Sequence, residues 1–277
     1  MKSIFENILI LSDLDGTFFG EKASLVEKNL TAIRRFQSLG GTFTFATGRD
    51  IKVLESIFPE AASIANAPAV LCCGAYLYDF QTKSVRFEEA MDQEEFLKIS
   101  SVILERFPDA GLRVGTYEGY LCPNVTDYMV SFFPKCPEII IPADLNKRKD
   151  VAWHKGVFVA KPERRIEMWN FVQTLSLKNL TTTTSSTSLV EFYSSRAGKD
   201  RQLLNLKKEM PEKTVICVGD QNNDLAMLEN CDIPACPSNA IEEVQKACAV
   251  HLCDHKDGCI ADLIEKLPAI LSTKGTI

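Results

Sequence analysis

The residues of this chain best suited to chemistry fall in four short segments: Asp13-Leu14-Asp15-Gly16-Thr17, Thr47-Gly48-Arg49, Gly198-Lys199 and Gly219-Asp220-Gln221-Asn222-Asn223-Asp224. Each lies where an apolar run meets a polar turn or where a helical pattern starts. Taken singly, an aspartate in such a place is a turn former or a helix cap. Gathered in one pocket, Asp13, Asp15, Asp220 and Asp224 would repel one another and take up protons unless a cation neutralised them. Oxygen ligands with room for waters and a phosphate oxygen suit Mg²⁺, and no His or Cys is placed to favour zinc.

Such a site can split phosphoryl transfer into two steps. Asp13 is the expected nucleophile, attacking phosphorus in line to form an aspartyl-phosphate. Asp15 follows past one extended residue and so points to the same site, where it would protonate the leaving alkoxide and later deprotonate water. The phosphoryl charge calls for donors around it: the Leu14 and Gly48 backbone N–H groups, the Thr47 hydroxyl, the Lys199 ammonium and the Asn223 amide. Lys199 also sets a positive side chain against the dipole at the start of its own helix, which asks for a reason beyond helix formation.

The positioning elements follow from hydrophobic pattern. Ile8–Ser12 is an apolar run ending at Asp13 and reads as a buried strand. Ser24 with Glu27 forms the pattern of a capping box for a helix carrying Val26, Leu30, Ile33 and Phe36, which Gly40 can close. Strand Thr42–Ala46, helix Asp50–Phe58 and strand Val70–Cys73 continue the rhythm. It resumes with a helix from Lys199, strand Thr214–Val218, helices 224–229, 240–247 and 260–267, and a short strand near 249–252. This alternation predicts an α/β fold, a parallel sheet with helices on both faces and ligands at the strand carboxyl ends.

Between Glu88 and Val190 the pattern changes: a helix at Gln93–Arg106, strands around Tyr117–Tyr120 and Gly156–Ala160, and a helix at Arg164–Leu175. We read residues 88–190 as an inserted α+β domain and 1–87 with 191–277 as a discontinuous core. Thr181–Ser188 fits a connector or an exposed β-edge.

Composition narrows the function. A balance of 31 Lys+Arg against 37 Asp+Glu, net −6, repels polyanions and argues against nucleic acid. Short basic runs such as Lys147-Arg148-Lys149 read as solvated faces. Ten cysteines without a CxxC pair or an export signal read as reduced, mostly buried thiols. Residues 61–78 carry no charge, yet Asn66, Pro68 and many small residues make a poor bilayer span. A cytoplasmic protein without a membrane or nucleic-acid partner is expected, its oligomeric state open with a monomer favoured.

Read together, DLDGT (13–17), FATGR (45–49), GKD (198–200) and GDQNND (219–224) resemble the four motifs of the haloacid dehalogenase superfamily. The insert at 88–190 and the tail SNAIEEVQKACAV followed by DG are similar to the Cof-type, sugar-phosphatase-like hydrolases. The resemblance implies a Rossmann-like core with a mobile cap, Asp13 as nucleophile and Asp15 as acid and base. It implies magnesium held by Asp13, by Asp15 through its carbonyl and by Asp220, with Asp224 in support. It also implies phosphate contacts from Leu14, Thr47, Gly48, Lys199 and Asn223, joined by Arg49. Two departures stand out: Cys73-Gly74-Ala75 where the family has Asn-Gly-Ala, and Asp200 where Gly is common.

The expected function is a magnesium-dependent phosphatase of a small phosphorylated metabolite, a sugar phosphate first. Asp15 argues against the ion-pumping ATPases, which carry Thr there, and against the dehalogenases, which lack the second acid. Two alternatives are a sugar phosphomutase similar to the phosphomannomutases and a phospho-metabolite sensor without turnover. Trp153, His154, Lys155 and Tyr120 are candidate cap residues for substrate selection.

Overall fold

The computed structural model describes residues 4–21, 24, 26–133 and 140–273. The first elements are β1 (Ile8–Ser12), α1 (Glu27–Ser38), β2 (Thr42–Phe45), α2 (Ile51–Ile57), α3 (Ala61–Ile64), β3 (Ala69–Leu71), β4 (Tyr76–Asp79) and β5 (Ser84–Arg86). Next come α4 (Gln93–Arg106), β6 (Gly111–Thr116), β7 (Gly119–Asn124), α5 (Asp127–Phe132), β8 (Ile140–Pro142), β9 (Lys155–Val159), α6 (Pro162–Val172), β10 (Leu180–Ser186) and β11 (Leu189–Ser194). The chain continues with α7 (Lys199–Glu209), β12 (Thr214–Val218), α8 (Leu225–Asn230), β13 (Ile233–Pro237), α9 (Glu242–Ala247), β14 (Val250–Leu252) and α10 (Cys259–Thr273).

The chain divides into two compact units, Met1–Gly48 with Pro59–Phe87 and Gly198–Ile277, and Arg49–Phe58 with Glu88–Ala197. The expected insert, 88–190, would end two residues into β11, which is held by β9 on one side and β10 on the other. The second unit also takes in the 49–58 segment, because Val53 of α2 packs against Val157 and Leu189.

In the first unit a five-stranded parallel sheet has the order β14-β13-β12-β1-β2. All five residues of β1 are buried, as expected for a central strand covered on both faces. On one face Leu9, Leu11, Val215 and Cys217 pack with Leu203, Leu206 and Met227. Elsewhere in this unit Phe45 meets Phe18 and Phe43 edge to face. The chain passes from β1 to β2 on one side and returns to β12 on the other, so β1 and β12 flank the switch point where such sheets bind ligands.

Several local expectations change here. The capping box does not form: α1 starts at Glu27 with Val26 at its N-cap and no side-chain cap, and the Ser24 backbone N–H donates to the Glu21 carbonyl instead. Gly40, at φ +85°, does close that helix. Val70–Cys73 is not a third parallel strand; β3 pairs antiparallel with β4, and Ala46 and Val70 form a single parallel bridge to the main sheet. Cys72 and Cys73 turn away at φ 52° and 57°. Strand β13, hidden in the sequence by Pro234 and Pro237, is an interior strand. Pro234 lacks an N–H, but its carbonyl still accepts from Ala249 N at 3.1 Å.

The second unit is a six-stranded sheet of order β10-β11-β9-β6-β7-β8, antiparallel except for β7 with β8. Side-chain alternation gives it two faces. Phe158, Val190 and Phe192 pack with Phe96 and Ile103 of α4 and Met168 of α6, while Val157, Val159 and Leu189 pack with Val53 and Met129. Tyr117 and Glu118 are the turn of the β6–β7 hairpin rather than part of a strand. The Thr/Ser run is the edge strand β10, where polar side chains suit an exposed margin. Trp153 lies wholly in the core of this unit and cannot line a substrate site.

Candidate active site

The site grows from the ends of β1 and β12 and the start of α7, all in the first unit. Asp13 follows β1, and its N–H donates to the Val218 carbonyl at the end of β12 (2.9 Å). The next residues form a wide turn in which Phe19 N donates to Leu14 O (2.9 Å). Gly16 enables that turn at φ +80°, and a Cβ there would lie 2.4 Å from Asp220 Oδ2. The two strand-end loops are thus packed into contact.

Lys199 joins them. Its Nζ donates to Asp13 Oδ1 at 2.7 Å and to Asp224 Oδ1 at 2.6 Å, and all three side chains are almost fully buried. Asp224 Oδ2 accepts from the Asp220 N–H (3.0 Å) and the Gln221 N–H (3.1 Å), which fixes the loop after β12. Asp220 accepts from Thr17 Oγ1 at 3.0 Å and Gln221 Nε2 at 3.1 Å. The Cys72–Gly74 turn seats the start of α7: Gly74, at φ +85°, lies where a Cβ would be 2.2 Å from the Gly198 carbonyl oxygen. Gln202 Nε2 donates to the Gly74 carbonyl at 3.1 Å. The Cys-Gly-Ala departure therefore sits in the turn that places Lys199.

Charge is out of balance. Asp13, Asp220 and Asp224 each offer an oxygen within 4.8 Å of the others. Burial raises the Asp13 carboxyl well above its ordinary value; Lys199 works against this, and Asp224, Asp220 and Asp15 add to it. Burial and then Asp224 push Asp220 up to about 6, against the hydrogen bonds from Gln221 and Thr17. Burial alone would lower the Lys199 ammonium, but Asp13 and Asp224 overcome it and hold the pKa above the usual lysine range. One ammonium faces three carboxylates, and the oxygen-only donor set fits a hard divalent cation.

The structure thus brings together Asp13, Lys199, Asp220 and Asp224. Asp15 is exposed beside them and acts on Asp13 through charge. Leu14 and Thr47 are buried. Thr47 follows Ala46, whose N–H donates to the Ser12 carbonyl at 2.8 Å, so it sits level with the end of β1. Gly48 and Arg49 are half-buried, and Asn223 is exposed in the short turn before α8. Three supporting residues escaped the sequence reading: Thr17, Gln221 and Asn239, whose Nδ2 donates to the Gly16 carbonyl at 2.9 Å. Thr17 and Gln221 lie inside the motifs, and nothing in the sequence signals where their side chains end.

A family model for haloacid dehalogenase-like hydrolases matches residues 10–264, which takes in every residue of this cluster. The chain belongs to that family. It is a hydrolase by that membership. A candidate phosphatase of Bacillus subtilis, YxeH, is 23% identical over 266 residues, spanning 94% of this chain and 97% of its own. The pyridoxal phosphate phosphatase YbhA of Escherichia coli is 29% identical over 97 residues, or 35% of each chain. The solved structure of the subclass IIB sugar phosphatase BT4131 superposes with a TM-score of 0.73 at 15% identity, covering 98% of this chain and 100% of its own. The fold of this hydrolase is therefore that of the family, an α/β core sheet with a second, separately packed sheet domain.

Proposed function

We propose that this hydrolase is a magnesium-dependent phosphatase of a small phosphorylated metabolite, with sugar phosphates the first class to test. The observation that carries the reading is the Lys199 ammonium bridging Asp13 and Asp224 inside a buried excess of carboxylate. A lysine so placed anchors Asp13 Oδ1 and leaves Oδ2 without a hydrogen-bond partner among the described residues, as a nucleophile requires.

Asp13, Asp220 and the Asp15 carbonyl would hold the ion, with Asp224 in support, and the ion would supply positive charge against the phosphoryl oxygens. Asp13 Oδ2 attacks phosphorus and the ester oxygen leaves; Asp15, exposed at the rim, gives that oxygen its proton. Asp15 then takes a proton from water, which attacks the aspartyl-phosphate and frees inorganic phosphate. Lys199, the Thr47 hydroxyl and the N–H groups of Leu14 and Gly48, with the Asn223 amide, neutralise and orient the phosphoryl oxygens. The second unit is proposed to select the leaving group, as a cap does.

The test is phosphate release from p-nitrophenyl phosphate and from a panel of phosphorylated sugars, nucleotides and cofactors including pyridoxal phosphate. Turnover with magnesium, lost on chelation, is expected. Tight binding of a phosphorylated sugar with no release of phosphate would overturn the enzymatic reading.

A further inference from the structure

Four successive carbonyls of the turn after β1 each accept a hydrogen bond from a side chain outside it. Gly16 accepts from Asn239 Nδ2 (2.9 Å), Thr17 from Cys259 Sγ (3.1 Å), Phe18 from Asn29 Nδ2 (3.0 Å) and Phe19 from His255 Nδ1 (2.6 Å). Asn239 is set apart by what adjoins it. Its Oδ1 accepts from the His255 backbone N–H at 3.0 Å, which fixes the end of the amide that donates to Gly16. Two residues on, the Ile241 N–H donates to the Asp220 carbonyl at 3.0 Å. The segment between them is braced, with Ala240 N donating to the Pro237 carbonyl (3.0 Å) and Gln245 Nε2 to the Ala240 carbonyl (2.7 Å). Residues 239–241 thus grip both loops of the site, the Gly16 turn by a side chain and Asp220 by the backbone. The two loops meet at this point, since a Cβ on Gly16 would lie 2.4 Å from Asp220 Oδ2.

On the reading that Asp13, Asp220 and the Asp15 carbonyl hold magnesium, we propose that Asn239 is a positioning residue for that site. With the Ile241 N–H it fixes the spacing between the Gly16 turn and the Asp220 loop, and so the arrangement of oxygens offered to the ion. Neither hydrogen bond goes to a carboxylate, so Asn239 acts through the backbone of its neighbours. The carboxylates carried by the two loops repel one another, and a tether between the loops works against that repulsion. Without the Asn239 amide the Gly16 turn can move from Asp220, while the Lys199 bridge between Asp13 and Asp224 stays. The site loosens without coming apart.

The test reads magnesium binding by calorimetry on the full chain without substrate. Asn239→Ala should weaken binding roughly tenfold, the scale of outer support to a metal site, and raise by the same factor the magnesium concentration that half-saturates turnover of p-nitrophenyl phosphate. His255→Ala keeps the backbone N–H that meets Asn239 and loses the bond to Phe19, so it should change either value by less than about twofold. A lower melting temperature in Asn239→Ala with unchanged magnesium affinity would show a role in folding alone and overturn the proposal. Equal weakening in both variants would overturn it too, because the effect then belongs to the whole turn. If Asn239→Ala does not fold, Asn239→Asp decides. It keeps the side-chain size and the bond from His255, and its added charge by itself favours a cation, so weaker binding there reports the lost donor to Gly16. Unchanged or tighter binding in that variant overturns the proposal. Wild-type protein that binds no magnesium sinks the magnesium reading and this inference together, whereas wild-type binding matched by Asn239→Ala sinks the inference alone.

Discussion

Both units bury ionised side chains, but they balance them differently. In the second, Lys155 Nζ meets Glu191 Oε1 at 2.8 Å with 12% and 4% of the side chains exposed, one cation for one anion. His154 there is buried against Glu88 at 2.7 Å; burial lowers its pKa, and the contact with Glu88 works to raise it. In the first, a single lysine is shared between carboxylates and a further buried acid stands beside them. A matched pair satisfies itself and its value lies in the fold. An unmatched cluster is destabilising until a ligand completes it, and that surplus is what the proposed function rests on.

The contrast breaks most readily at Asp13. Asp13→Asn should lower turnover by more than about 10³-fold, equivalent to roughly 4 kcal/mol of barrier. It should also raise thermal stability in chelator, because an amide resembles the neutral form that burial favours. A variant that keeps its activity sinks the nucleophile assignment, and one that melts lower in chelator sinks the charge argument. In the second unit the sign reverses: Glu191→Gln strands the Lys155 ammonium and should destabilise by about 3 kcal/mol, read by denaturant unfolding.

The pH dependence sharpens the same point. Asp220 has its folded pKa raised from 3.8 to about 6, so its contribution favours the apo fold most at low pH and is lost as pH rises through about 6. Asp220→Asn should therefore gain stability on the wild type between about pH 4 and about pH 7 in chelator. At the proposed site magnesium would displace that proton, so its affinity should fall roughly tenfold for each pH unit below about 6, measured by calorimetry. The smallest expected effect lies in the turn beneath Lys199. Cys73 sits at φ 57°, ψ 29°, where Asn is better tolerated, so Cys73→Asn should stabilise by roughly 0.5 kcal/mol in thermal unfolding.

Much of this was legible in the chain. The apolar runs at 8–12 and 214–218 announced buried parallel strands, and each ended in the aspartate loop that now faces the other. Gly40 closed its helix as a left-handed residue should. Where reading failed, a tertiary partner outweighed local pattern. The helix at Glu27 forms without the Ser24 cap because Leu30, Ile33 and Phe36 are buried. Pro234 sits in the sheet because its carbonyl, not its missing N–H group, is used.

By itself the sequence determined the residue types and their places at strand ends, since hydrophobic period and turn chemistry are local properties of the chain. It could not decide that Lys199 would touch both Asp13 and Asp224, 186 and 25 residues away, or that Thr17 would support Asp220 across 203 residues. Those contacts depend on the order in which the strands assemble, which brings β1 beside β12. Burial then turned four polar side chains into a charge excess, because the strength of an electrostatic interaction depends on the medium that folding creates around it.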